Sequence, residues 1–389
     1  MKKIFLFTAA LLGLVLLTAC DGENGTYRTN KDKRWYAGED GSSLMGYIDE
    51  NGKMVIPANY SSAFPFSCGW AWVMEDGEKQ FIDKDGKSVS PDPFPNDYPP
   101  YFYFNRIAFT EDGWYGMYDE NFKVVIPAEY SWLGTCSEDG LIDFSEMDSK
   151  EYGYMDKDGK VVIPEQFYRA GSFAGGIAVV REKKGDEERY GIIDKKGNFL
   201  FDYQKKSLDN LGEGRVSFYN ASTKKHGMMD KNGNEIVSAK YDIIDPFTCG
   251  LSKVKKSDKI GFINTKGEEV IPCRYASTGY FYDDVAWVQK NSDSRREIIN
   301  KKGETLFSLK EGESVYNSFI NGLALVCNSD KTQWRYVNKK GETVYKWEVS
   351  SSSMPEKRLS PEEQNLEFML STEYAPLFRD MQRMQEMQK

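Results

Sequence analysis

The sequence predicts an all-β protein made of tandem three-stranded antiparallel meanders, stacked as a superhelical or propeller-like array and followed by a C-terminal helix. Three observations carry this expectation. A block typified by GYIDENGKMVIP from Gly46 to Pro57 recurs nine times, with starts separated by 34, 36, 37, 38, 36, 34, 36 and 38 residues. Its fourth position is always Asp or Asn, and its seventh is glycine in every copy except the one with Phe122. A second pattern follows each block: Phe66-x-x-Gly69-x-Ala71-x-Val73 is echoed by Phe173-x-x-Gly176-x-Ala178-x-Val180 and Phe319-x-x-Gly322-x-Ala324-x-Val326. A fixed period of this length is the mark of a repeat array, in which each unit buries its apolar faces against its neighbours.

The elements follow in chain order. Lys2 and Lys3 precede an apolar and small-residue run from Ile4 to Leu17, which ends in Leu17-Thr18-Ala19-Cys20. A bilayer-spanning helix needs roughly 20 apolar residues, so this shorter run reads as a signal peptide over residues 1–19, cleaved before Cys20. The segment resembles the lipobox of bacterial lipoproteins. That resemblance implies a diacylglycerol on the Cys20 sulfur and an acylated amino group, with palmitate among the expected chains. Residues 20–34 then form a lipidated linker, and the chain is expected at the cell envelope, membrane-anchored and most simply at the outer membrane, its side left open.

Residues 35–348 hold about nine repeats of 34–38 residues. Within each, the Gly-x-Ala-x-Val segment alternates with period two and forms a strand. A short turn such as Glu75-Asp76-Gly77 leads to the Gly-Tyr-Ile-Asp strand, and the Asx-Gly turn leads to the Val-Ile-Pro strand. The Asx side chain accepts hydrogen bonds from turn amides, and glycine supplies positive φ without a Cβ clash. Pro57, Pro127, Pro164 and Pro272 close the last strand, where a missing amide donor is harmless. Ala71, Ala178, Ala286 and Ala324 are expected to face a crowded interior. The copies starting at Glu297 and Arg335 lack the opening glycine, as the ends of an open array would.

These residues carry a resemblance to WG-repeat (KWG-repeat) proteins of bacteria over about residues 35 to 346. The position before the opening glycine departs from that pattern: it holds Met45, Tyr115, Tyr152, Tyr190, His226 or Ile260 and never tryptophan. The resemblance implies binding or scaffold modules.

Pro91-Asp92-Pro93-Phe94-Pro95 through Pro99-Pro100 interrupts the second repeat and reads as an inserted surface loop. Tyr98, Tyr101, Phe102 and Tyr103 in it are candidate partner contacts, weighed against a role in covering the insertion's own core. Residues 349–359 are a linker. Ser360-Pro361-Glu362-Glu363 then matches a capping box opening an amphipathic helix over 360–389, whose Met381 and Met384 can adapt to an irregular partner surface or cap the array.

Composition narrows the function. Without Lys2 and Lys3, 49 basic side chains face 60 acidic ones, so the mature chain carries about −11 and does not attract nucleic acid by net charge. Cys68 and Cys249 occupy equivalent places and read as small buried residues, with one disulfide as the alternative. His226 is the sole histidine and sits at a strand edge. No catalytic constellation, metal cluster or nucleotide loop emerges, and no cofactor is expected. The expectation is a non-catalytic envelope lipoprotein that binds an unknown protein, peptidoglycan or glycan. The alternatives are an envelope polysaccharide-acting enzyme with paired carboxylates and an architectural subunit of an envelope complex.

Overall fold

A computed structural model describes residues 44–49, 51–64, 66–95, 102–204, 206–320 and 322–348, together with the backbone of Trp35–Gly38. The expected signal peptide, Cys20, the 20–34 linker, Tyr98, Tyr101, the 349–359 linker and the 360–389 helix with Met381 and Met384 lie outside the described residues. The described part is all-β. Its strands form nine antiparallel sheets in strict chain order, seven with four strands and two with three. They are the blades of a β-propeller, numbered here 1 to 9: residues 35–60, 62–89, 106–130, 132–167, 169–204, 208–241, 243–275, 277–308 and 314–348.

The three strands read from each repeat are present, and seven blades add a strand ahead of them. It is short in most blades, two residues long at Ser62–Ala63 and Trp132–Leu133. The alternation pattern cannot reveal so short a strand. Among the described residues blades 1 and 3 show no such strand, and ahead of blade 3 Phe94 of the insertion stacks on Phe81 at 5.3 Å.

The turn chemistry is uniform. In blade 1, the amides of Asn51 and Lys53 both donate to Asp49 Oδ1 at 2.9 Å, and Gly52 adopts φ 82°. The same pair of bonds reaches Asp83, Asp119, Asp156, Asp194, Asp230, Asn264, Asn300 and Asn338. The Asp83 carboxylate is thus occupied in holding its turn.

Each turn also rests on the blade before it. A Cβ on Gly159 would meet the Ile126 side chain at 3.2 Å, and one on Gly303 would meet Ile271 at 3.3 Å. Between blades lie nine apolar clusters. Ala71, Ala178, Ala286 and Ala324 are buried in four of them, which matches the crowded interior their size predicts. Burial of one such large side chain as Ile142 or Ile193 contributes on the order of 1.5–3 kcal/mol.

The ninth cluster joins Ile48 and Met54 of blade 1 to Leu323, Leu325 and Trp334 of blade 9, and the Gly52 turn lies on the Val344 carbonyl. The array is therefore a closed ring. This corrects the reading of Glu297 and Arg335 as end degeneracy, because a ring has no terminal repeat. Their strands differ for another reason. In blade 4, Tyr152 faces Phe167 and Tyr154 faces Ile163, so the outer strand bulges by two residues. The bulged backbone crosses the opening glycine, where a Cβ on Gly153 would stand 2.6 Å from the Ile163 carbonyl oxygen and 2.8 Å from the Glu165 amide. In blade 9, Arg335 faces Lys346 and Tyr336 faces Tyr345 without interruption, so a side chain fits.

Candidate functional site

A four-stranded meander places its first and third hairpins at one end and its second hairpin, with the link to the next blade, at the other. The ring therefore has two chemically different faces, a turn face and a link face.

The turn face is knitted from blade to blade. Trp70 Nε1 donates to the Glu120 carbonyl at 2.9 Å, Arg106 Nε to the Lys157 carbonyl at 2.7 Å, and Arg215 Nε to the Thr265 carbonyl at 2.7 Å. Arg106 is buried, and its Nη2 donates to Asp158 Oδ1 at 2.8 Å. Acids return the favour to amides: Gly175 N donates to Glu138, Gly176 N to Asp139 and Gly322 N to Asp283. Burial raises the pKa of Glu213, against the opposing hydrogen bond from the Gly250 amide. These carboxylates serve the ring itself.

The link face is different. The residue before each opening glycine lies toward this end of its strand, and in blades 3 to 6 it is Tyr115, Tyr152, Tyr190 and His226, all half-buried. Tyr115 lies 6.1 Å from Trp132, and Tyr219 lies 5.2 Å from His226. Arg169 Nη1 donates to the Tyr152 hydroxyl at 2.9 Å, and its guanidinium stands 5.4 Å from the Tyr168 ring. Lys183 Nζ stands 5.4 Å from that same ring, and Arg181 stacks 4.7 Å from Tyr190. Nearby, burial first and the charges of Glu182 and Asp202 second push the Tyr203 hydroxyl up to about 12. The result is an arc of aromatic rings and cations over four consecutive blades. Amphipathic rings with cations on their faces can hold a polar partner by stacking and by charge-assisted hydrogen bonds.

Of the sequence candidates, Phe102 is 2% exposed and packs with Phe81 and Phe122 between blades 2 and 3, which removes it from any contact surface. Tyr103 is half-buried and pairs through its backbone with Arg106. The arc was visible in the sequence as the tyrosine column before the glycine. Its cations were not, because the register that sets Arg169 opposite Arg181 is not written in either repeat alone. Cys68, Cys136, Cys273 and Cys327 carry free thiols, and burial pushes those of Cys136, Cys273 and Cys327 up to about 11, the unreactive form. Among the described residues no group of His, Cys, Asp or Glu is placed to hold a metal ion.

Comparison with solved structures supports the ring. A crystal structure of a eukaryotic initiation factor superposes with a TM-score of 0.57 at 11% identity, over 82% of this chain and 96% of the other. Dihydro-heme d1 dehydrogenase NirN (TM-score 0.41, 14% identity, 75% of each chain) and apo AztD from Citrobacter koseri (0.36, 11%, 74% and 94%) are more distant. At such identities the likeness speaks for the fold alone, and the two lower scores carry no argument. Among curated proteins no significant sequence match is found. The sequence profile of the WG containing repeat matches residues 45–78, 115–146, 152–185, 227–259 and 260–292, so this chain carries WG repeats, each running from one blade of the closed β-propeller into the next.

Proposed function

We propose that the protein is a non-catalytic binding or scaffold module of the cell envelope, tethered by lipid on Cys20, which presents the link face of its propeller to a protein, peptidoglycan or glycan partner. One observation carries this reading: the aromatic and cationic arc of blades 3 to 6 stays half-exposed on one face, although Tyr115 and Tyr190 also lean on the inter-blade clusters. Inter-blade apolar positions such as Ile142, Ile193 and Val254 are fully buried, whereas Tyr115, Tyr152 and Tyr190 stay half-exposed on one face. Scaffold positions under packing demand alone would be buried like the others.

The experiment is capture from solubilised envelopes, peptidoglycan fragments and a glycan panel by residues 21–389, beside a Tyr152→Ser/Tyr190→Ser variant. A partner held by the parent and lost by the variant at unchanged thermal stability supports the reading. Equal capture by both sinks the arc as the binding surface. Incorporation of an alkyne-tagged palmitate that disappears in Cys20→Ala tests the anchor.

A further inference from the structure

The cations of the arc are unevenly neutralised. Arg169 lies directly opposite Arg181 across the inner strand pair of blade 5. Lys183 follows Arg181 by two residues and so projects on the same side. Like charges directly opposite each other destabilise a sheet, and the chain as a whole is acidic, at −9. One carboxylate answers these three cations: Glu188 is turned to Arg181, at 3.3 Å. Glu182 points across the hairpin to Arg189. Among the described residues, Arg169 and Lys183 make no ion pair and rest on Tyr152 and Tyr168.

The backbone beside them is also open. The hairpin strands Ile177–Lys184 and Glu187–Asp194 are each eight residues long, whereas the inner strand Arg169–Ala170 pairs only with Val180 and Arg181. Residues 182–184 thus have no strand partner on that edge. An added strand gains main-chain hydrogen bonds there, and acidic side chains at alternate positions would meet Arg169 and Lys183 on one side.

We propose that this edge of blade 5, with Arg169, Arg181 and Lys183, is a recognition site for an extended acidic peptide segment of a partner protein. The inference deepens the binding-module reading and rests on it. Its occupant is chosen by charge complementarity and by the unpaired strand edge together, since a glycan or a lipid headgroup would use the charge but not the edge.

The probe is a fluorescently labelled peptide with glutamates at alternate positions, measured by anisotropy against residues 21–389, with a glutamine-substituted copy as control. Affinity for the acidic peptide should exceed that for the glutamine copy at least tenfold and should weaken as salt rises. It should fall at least tenfold in Arg169→Ala/Lys183→Ala and less in Arg169→Lys, each at unchanged thermal stability. Equal binding of both peptides, or no loss in the double variant, overturns the proposal. So does binding of phosphatidylglycerol vesicles, in place of the peptide, that the same variant abolishes. If the envelope partner is still captured by the double variant but not by the Tyr152→Ser/Tyr190→Ser variant, this inference fails while the binding-module reading stands.

Discussion

Blades 4 and 9 share the same Asx-Gly turn but finish their outer strands differently. In blade 4 the Val-Ile-Pro strand bulges over Gly153, and Pro164 sits inside the bulge, where no ladder hydrogen bond is required of it. In blade 9 the outer strand pairs residue for residue from Gln333 to Tyr336, and the glycine position is Arg335. That side chain is not idle. Arg335 Nε and Nη2 donate to the two oxygens of Glu313 at 2.8 and 2.7 Å, and Nη1 donates to Thr343 at 2.9 Å. Blade 8 follows the same plan: Glu297 pairs with Lys290 at 2.8 Å and accepts from Thr305 at 2.9 Å. Glycine therefore marks the bulge, accompanied by proline in blades 1, 3, 4 and 7 but by Asp202 in blade 5 and Ser238 in blade 6, and a polar clasp takes the glycine's place in blades 8 and 9, where the strand is straight at that point.

The sharpest way to break this comparison is Gly153→Ala. The new methyl would meet backbone at 2.6 and 2.8 Å and the Phe144 ring at 2.9 Å, none of which can retreat within a packed seam. We expect a loss of about 3 kcal/mol or more in denaturant unfolding. Glu297→Ala, at the same column of a straight blade, should cost about 1 kcal/mol, the usual worth of a partly exposed polar clasp. Equal costs at the two sites would show that the bulge does not set the need for glycine.

Next in size is Glu313→Gln. Both partners of the Arg335 pair are largely buried, so leaving the guanidinium without its carboxylate should cost about 2–4 kcal/mol at neutral pH. Burial alone would push the Glu313 carboxyl up, but the hydrogen bonds from Arg335 outweigh it and the folded pKa lies below the ordinary value. A depressed carboxyl stabilises the fold above its unfolded pKa, and that stability is lost as pH falls through the folded value. The difference between parent and variant should therefore shrink as unfolding is repeated at lower pH, and a constant difference would refute the pairing.

This contrast shows how far the sequence could be read. The nine units, the Asx-Gly turns and three strands per unit follow from period, alternation and turn chemistry, all of which are local. Ring closure does not follow, because the angle between blades is set by seam packing such as that of Ile48 against Leu323 and Trp334, residues far apart in the chain. The missing glycines at Glu297 and Arg335 were visible, but their cause was the register of the next strand. At the candidate site the tyrosine column was legible for the same local reason, whereas the opposition of Arg169 and Arg181 required the observed pairing.

Phe122 sharpens the turn column from the other side. It holds φ 57° where the other eight turns have glycine, a conformation that costs an ordinary side chain about 1 kcal/mol. Its ring repays that cost by packing 4.8 Å from Phe81, 5.2 Å from Trp70 and 5.5 Å from Phe102. Phe122→Gly should relieve the backbone yet still destabilise by about 1–2 kcal/mol net, because lost aromatic packing exceeds the relief. A gain in stability would mean that the ring contributes little to the seam.

The smallest expected effect has the opposite sign. Asp143 lies between blades 4 and 5, 6% exposed, with Trp132 Nε1 donating to Oδ2 at 2.8 Å and the Ser172 hydroxyl at 3.5 Å from Oδ1. Unlike Arg106, the other charged side chain buried among the described residues, it has no partner of opposite charge within bonding reach among them. Burial raises its pKa, and the bonds from Trp132 and Ser172 offset that only in part. A carboxyl with a raised folded pKa favours the fold below its unfolded value and forfeits that contribution as pH rises through the folded one. Asn keeps the acceptor for Trp132 and adds a donor toward Ser172 without a charge to desolvate. Asp143→Asn should thus stabilise the protein by about 1 kcal/mol at pH 7, and the gain should shrink as pH falls and the parent's carboxyl takes up its proton. A variant less stable than the parent at pH 7 would show instead that the charge itself is held by the ring.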